Sequence, residues 1–326
     1  MAVPWRIVIR RTGGPKVLER EELAPLQPGP GELLIRHDAI GLNFIDIYHR
    51  TGVYPVALPS GLGTEGAGIV EAVGAGVEGL RTGDRIAYVS RPLGAYSTHR
   101  IVAADRTIKL PDSIGSDIAA ATLLKGCTAE YLIHRCAKVQ SGDTILVHAA
   151  AGGVGSILVP WLKAIGATVI AHAGNAEKAA RATALGADHS LSCPFDALAE
   201  EVRALTGGNG VMTVLDSVGA ASWKASLGSI ARRGLLVTYG NASGVVPPIP
   251  MSDFMAAGSI FVTRPTLFDY AATRDELHLS AGRLFAMIES GTVPVHIGAR
   301  FPLAEAAEAH RALESRQTTG STLLIP

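Results

Sequence analysis

Apolar residues change rhythm twice along the chain. Up to about residue 120 they come in short runs such as Glu32-Leu-Leu-Ile-Arg36, Gly68-Ile-Val-Glu-Ala-Val73 and Arg85-Ile-Ala-Tyr-Val89. Gly and Pro close these runs, and Gln27-Pro-Gly-Pro-Gly31 reads as a turn. Brief β-prone runs between turn formers predict a small antiparallel or barrel-like domain. From residue 144 the rhythm lengthens. Apolar strands at 144–149, 167–171, 211–216, 234–239 and 259–263 alternate with helical stretches at about 154–165, 176–185, 196–206 and 220–231. Gly166 and Gly186 fall just past two of these helices, where a left-handed cap is wanted. Alternating β and α units predict a doubly wound parallel sheet, an α/β fold. The tail predicts helices at about 274–290 and 303–314 and a closing strand Ser321–Ile325, packed back on the first domain.

One stretch competes with this reading. Thr144–Leu162 is 19 residues without Asp, Glu, Lys or Arg, about the length a bilayer requires. Its inner pattern, a β-prone run, then glycines, then a helix-like segment, instead fits a parallel strand buried on both faces. Composition narrows the rest. The 326 residues suffice for about two domains. Lys plus Arg equals Asp plus Glu at 29 each, so no basic footprint for nucleic acid or an anionic membrane is present. Cys127, Cys136 and Cys193 make neither an even disulfide framework nor a Cys-x-x-Cys pair, which suits a reducing cytoplasm. The apolar run within Met1–Arg10 is too short for a signal peptide.

The glycines of His148-Ala-Ala-Ala-Gly152-Gly-Val-Gly155 carry the chemistry. They match G-x-G-x-x-G with Ala150 in first place, after a strand and at the start of a helix. Gly152 lets backbone approach a pyrophosphate, Gly155 lets the helix lie close on the strand, and the helix N-terminus offers free N–H groups. An NAD site usually ends its second strand in an acid. Here that strand ends Val169-Ile-Ala-His-Ala-Gly174-Asn-Ala-Glu-Lys178, with no acid at the tip. Lys178 is either a partner for a 2′-phosphate or a solvated surface lysine, and the first reading favours NADPH over NADH. Pro160 lies past the first turn of the helix, so a bend or loosening after Ser156 is expected. No His or Cys array has ligand spacing, and no metal is expected.

Together these features resemble the medium-chain dehydrogenase/reductase superfamily, and within it the zinc-independent, zeta-crystallin-like quinone oxidoreductases. The markers run the length of the chain: Asn43-Phe-Ile-Asp46-Ile-Tyr48, Pro59-Ser-Gly-Leu-Gly-Thr-Glu65-Gly-Ala-Gly68, Leu93-Gly-Ala-Tyr96, Leu124-Lys-Gly-Cys-Thr128, Asp216-Ser-Val-Gly219, Tyr239-Gly-Asn241-Ala-Ser243-Gly244, Val262-Thr-Arg264-Pro265 and the ending from Leu313. The resemblance implies a GroES-like catalytic domain over 1–123, completed by 266–326, with a Rossmann NADPH-binding domain over 124–265. It places the cofactor in a cleft, with Gly152, Gly153 and Val154 on the pyrophosphate and Gly174, Lys178 and Arg316 around the 2′-phosphate. Asn241 and Arg264 would lie along the nicotinamide half, whose end would face Asn43, Tyr48 and Thr128. Zinc-dependent relatives carry Gly-His-Glu where this chain has Gly63-Thr64-Glu65, and a cysteine where it has Asn43. Residues 81–110 hold none of the four cysteines of their structural zinc. Many relatives also have a tyrosine where this chain has Cys193, a loss of one hydrogen bond worth about 0.5–1.5 kcal/mol.

The activity so implied is NADPH-dependent reduction of a quinone or similar conjugated carbonyl without a metal. Asn43 and Tyr48 are candidates for orienting acceptor or nicotinamide. Asp46 either relays a proton or, with Asn43, caps a helix starting near residue 44, and Tyr54 either donates a hydrogen bond at the pocket mouth or only packs. Reduction of an enone or enoyl-thioester uses the same hydride. A cofactor-binding protein with sensing or RNA-binding duties and little turnover is the contrasting class. The strand Ser259-Ile-Phe-Val-Thr263, if at a sheet edge, would pair across a two-fold axis as a homodimer.

Overall fold

The computed structural model describes residues 3–326; Met1 and Ala2, which begin the stretch read above for export, lie outside the described residues. The chain divides into two compact units. One comprises residues up to Lys125 with Thr273–Phe285 and Val295–Pro326, and the other comprises Gly126–Ala272 with Ala286–Pro294.

The first unit is built on strands β1 (Trp5–Ile9), β2 (Glu19–Glu22), β3 (Glu32–Leu42), β4 (Ser60–Gly61), β5 (Glu65–Val73), β6 (Arg85–Val89), β7 (His99–Ala103) and β8 (Thr107–Lys109). Helix α1 (Phe44–Thr51) follows β3, and α2 (Ser116–Glu130) follows β8. The eleven residues of β3 alternate in burial over their first half, as expected of an antiparallel strand with one wet face. β3 pairs antiparallel with both β5 and β7. Leu33, Ile35, Ile40, Val70, Ile86 and Tyr88 fill the core between these strands.

The second unit contains β9 (Thr144–His148), α3 (Gly155–Ile165), β10 (Thr168–His172), α4 (Ala176–Ala184), β11 (His189–Leu191), α5 (Phe195–Leu205), β12 (Val211–Asp216), α6 (Trp223–Ser229), β13 (Ile230–Thr238), α7 (Met251–Ala256), β14 (Phe261–Thr263) and α8 (Leu267–Tyr270). Its strands lie in the order β11-β10-β9-β12-β13-β14 and all pair in parallel. This is the Rossmann order, in which the chain reverses direction between β9 and β12 and leaves a crevice at their carboxyl ends. The rest of the first unit follows: α9 (Arg274–Glu289, which begins there), β15 (Ile297–Pro302), α10 (Ala306–Glu314) and β16 (Ser321–Ile325). β16 pairs antiparallel with β3, so the end of the chain completes the first sheet.

Several expectations need correction. The 220–231 helix is only Trp223–Ser229, and its strand starts at Ile230 rather than at 234. Arg232 and Arg233 hide that start, and Arg233 adopts a left-handed φ of 57° where the register shifts. The strand β11 was not foreseen, since three residues are too few to show a period. The 144–162 run resolves into strand, loop and helix. Among the described residues no helix is long and apolar enough to cross a membrane. Helix α3 runs through Pro160 to a left-handed cap at Gly166, so the proline does not end it. Proline removes one donor, to the Ser156 carbonyl, while buried neighbours from Ile157 to Leu162 hold the helix on both sides of it.

Candidate functional site

In the second unit the candidate residues gather along the carboxyl edge of the sheet. β9 ends at His148, and the chain turns through Ala149 at φ 50° into the glycine loop. Gly152 N–H donates to Ala149 O (2.8 Å), and Ser156 N–H to Gly152 O (2.8 Å), which folds the loop onto the first turn of α3. A Cβ on Gly155 would stand 2.4 Å from Ala149 O and 2.7 Å from Ala150 Cα, so only glycine permits this approach. The N–H groups of Gly153, Val154 and Gly155 donate to no acceptor among the described residues. Three unspent donors at the positive end of an eleven-residue helix form an anion cradle. The loop therefore fits a pyrophosphate.

The second strand supplies the discriminating end. Past His172 come Ala173, Gly174 and Asn175 with no carboxylate, and a Cβ on Gly174 would meet nothing within 4 Å. Asn175 caps α4 by accepting from Lys178 N–H (2.9 Å), which fixes Lys178 in the first turn. Partial burial lowers the Lys178 pKa, against the opposing charge of Glu177. Cys193 lends its carbonyl to His172 Nε2 (3.0 Å). Asn241 follows β13 and is nearly buried. Arg264 follows β14, and its Nη1 donates to Thr238 O and Gly240 O (2.9 Å each), tying down the end of β13. Thr128 is buried near the end of α2.

A buried polar core beneath the loop escaped the sequence reading. Ser226 Oγ donates to Asp216 Oδ2 (2.7 Å) and stands 3.0 Å from His148 Nε2. Asp216 also accepts from Ser222 Oγ (2.7 Å) and Val218 N–H (2.8 Å). Burial depresses the His148 pKa to about 4, so its neutral ring serves as a strut under the strand end. In the sequence, Asp216 and His148 stand out only as parts of the markers Asp216-Ser-Val-Gly219 and His148–Gly155, without roles of their own.

In the first unit α1 carries Asn43, Asp46 and Tyr48. Asp46 sits at the third helical position, and its Oδ2 accepts from Asn43 N–H (2.9 Å), which makes it a capping residue as one of the two readings had it. It is fully buried, and Tyr96 also donates to it (3.0 Å). Burial raises its pKa to about 7 despite these two donors. Asn43 gives its amide nitrogen to Glu65 Oε1 (2.7 Å), and Glu65 also accepts from Leu124 N–H (2.8 Å) and Lys125 Nζ (3.3 Å). Asn43, Glu65 and Lys125 are buried, and Gly41 makes the room, since its Cβ would come within 2.5 Å of the Glu65 carboxyl carbon. Tyr48 and Tyr54 meet edge to face at 5.2 Å, and Tyr54 N–H donates to Tyr48 O (3.0 Å). Arg316 is exposed at a left-handed φ of 57°. Among the described residues no group of three His, Cys, Asp or Glu is placed to hold a metal ion.

Comparison with known proteins agrees with both units. Residues 29–141 match the alcohol dehydrogenase GroES-like domain, and 153–278 match the domain described as zinc-binding dehydrogenase. The chain is 48% identical to a quinone oxidoreductase of Pseudomonas aeruginosa across 98% of its own length and 99% of that protein's. It belongs to the quinone oxidoreductase family of the medium-chain dehydrogenase/reductases. Another similar protein is the 2-haloacrylate reductase of a Burkholderia species, 42% identical over 98% of each chain. Among solved structures, Escherichia coli quinone oxidoreductase complexed with NADPH superposes with a TM-score of 0.96 at 44% identity, covering 99% of this chain and all of that one.

Proposed function

We propose that this family member reduces quinones with NADPH, without a metal. The carrying observation is the trio of unspent N–H groups at the start of α3, next to a second strand that ends without a carboxylate. A carboxylate there would repel a 2′-phosphate, whereas Lys178 attracts one. The NADPH complex of the E. coli relative supports the same cofactor. In this reading the two units act as a GroES-like catalytic domain and a Rossmann domain. Gly152, Gly153 and Val154 hold the pyrophosphate, while Gly174, Lys178 and Arg316 hold the 2′-phosphate. Asn241, Arg264 and Thr128 line the nicotinamide half.

NADPH supplies a hydride when bound. The chain's own residues align the acceptor, keep water away and offer hydrogen bonds where the acceptor oxygen gains negative charge. Asn43, Tyr48 and Tyr54 take these tasks, and buried Asp46 acts behind them. Glu65 accepts from the Asn43 amide nitrogen and so holds that side chain in one orientation. Steady-state NADPH oxidation with a panel of benzoquinones and naphthoquinones tests the reading, and no turnover with any of them defeats it. The 2-haloacrylate reductase relative favours one second reading, reduction of an activated alkene. Turnover of 2-chloroacrylate or an enone in preference to every quinone would select it.

The edge strand β14 exposes Phe261 (65%), and α7 exposes Met251 and Met255. An apolar edge of this kind supports a homodimer, and light scattering of the eluted protein reads its mass. The unbridged cysteines support residence in the cytoplasm.

A further inference from the structure

The first unit holds a chain of buried polar groups that the reductase reading leaves without a task. Arg50 is 1% exposed, and four contacts hold its guanidinium. Nε donates to Gly13 O (3.0 Å), Nη2 donates to Glu314 Oε1 (2.5 Å), and Nη1 donates to Glu314 Oε2 (3.2 Å) and lies 3.0 Å from His310 Nδ1. Guanidinium can only donate, so His310 Nδ1 is the acceptor and its proton resides on Nε2. That N–H points at Tyr96 Oη (3.0 Å), and the Tyr96 hydroxyl in turn donates to Asp46 Oδ2 (3.0 Å). Every donor in the series therefore faces one way, and the last acceptor is the carboxylate that holds Asn43 N–H.

We propose that Tyr96 and His310 are positioning residues, which hold Asp46 on the Asn43 main chain and so set the angle at which Asn43 meets its ligand. This rests on the reductase reading of Asn43. Asn43 is gripped twice: Asp46 fixes its backbone and Glu65 fixes its side chain. Aligned donors polarise one another, so a neutral imidazole backed by a buried cation makes the Tyr96 hydroxyl a stronger donor. Burial and the Arg50 charge depress the His310 pKa to about 3, which keeps Nδ1 free to accept. The groups that act on Asp46 are few. The Tyr96 hydroxyl, the Asn43 N–H and the Lys125 ammonium favour its ionised form, while burial and Glu65 oppose it.

The test uses full-length Tyr96→Phe, His310→Phe and His310→Gln, each measured for kcat, KM, melting temperature and affinity for 2′,5′-ADP. That probe carries the adenosine 2′-phosphate half and no nicotinamide. Loss of the Tyr96 bond is expected to lower kcat about tenfold, the scale of one bond to a charged group, with 2′,5′-ADP affinity unchanged. His310→Phe should behave alike, and His310→Gln, whose amide both accepts and donates, should recover most of the loss. Removing the Tyr96 donor should also move the acid limb of kcat to higher pH, because one group that keeps Asp46 ionised is gone. Wild-type kcat and an unmoved pH profile in Tyr96→Phe would overturn the proposal, even if the melting temperature falls. Absence of turnover in the unaltered enzyme would instead defeat the reductase reading itself, so the two failures are distinguishable.

Discussion

Replacing Gly155 with alanine should damage cofactor binding more than it damages the fold. The new methyl would lie 2.4 Å from Ala149 O and 2.7 Å from both Ala150 Cα and Ala150 O. All three are backbone atoms, so no side chain can swing aside. Relief requires the loop and the start of α3 to separate by about 1 Å in a close-packed interior. Overpacking of this kind costs about 1–3 kcal/mol of stability. The same displacement carries the Gly153, Val154 and Gly155 N–H groups off the phosphate. One lost bond to a charged oxygen is worth about 1.5–3 kcal/mol, or about ten- to a hundredfold in affinity. NADPH titration by fluorescence, beside thermal melting, measures both effects. Gly174→Ala is the control for stability, because nothing lies within 4 Å of its Cβ position. A folded Gly155→Ala protein that binds NADPH as tightly as the parent would refute the cradle.

Lys178→Ala should weaken NADPH about three- to tenfold, a screened half-buried charge being worth about 1 kcal/mol, while NADH affinity stays put. Equal losses for both cofactors would remove Lys178 from the 2′-phosphate. Stability should fall as pH drops below about 6.5. Burial holds His37 and His310 at about 3 and His49 and His148 at about 4, so the folded protein binds fewer protons than the unfolded chain in that range. Asp46, raised to about 7, has the opposite sign: its contribution is present at low pH and is lost as pH rises toward 7. Four groups against one leave a net loss of at most about 5 kcal/mol between pH 7.5 and pH 5, readable as a shift in urea midpoint; a flat midpoint would contradict it. Pro160→Ala should raise the melting temperature by restoring the donor to Ser156 O, a gain of about 1–2 kcal/mol after the lost packing, and leave NADPH affinity unchanged because the cradle precedes it. A lower melting temperature would mean that proline packing outweighs the missing bond.

What could be read in advance was whatever lies close together in sequence. β9, β10 and β12 were legible because a strand buried on both faces needs an almost unbroken apolar run. The glycine loop was legible because its geometry closes within eight residues. β11 left no trace in three residues, and the start of β13 was masked by two exposed arginines. The Arg50–His310 contact spans 260 positions and the Tyr96–His310 contact 214, distances over which no periodicity speaks. Asp46 shows the limit most clearly. The capping spacing Asn43-x-x-Asp46 was visible, but the burial that lifts its pKa comes from strands and a C-terminal helix far along the chain.

The arrangement around Glu65 explains how a buried acid is tolerated where zinc-dependent relatives bring a dication. A carboxylate at 0% exposure needs opposite charge and hydrogen bonds on both oxygens. Here Lys125 supplies the charge, Asn43 and the Leu124 N–H supply the bonds, and Gly41 leaves the space in which they meet. Lysine carries one charge on a flexible stem and has no vacant coordination position for an alcohol oxygen. The corner therefore neutralises its acid without providing what is needed to draw a proton from an alcohol. An acceptor that is already electron-poor, such as a quinone, requires no such activation, and the second function left to this cluster is to keep Asn43 in one orientation.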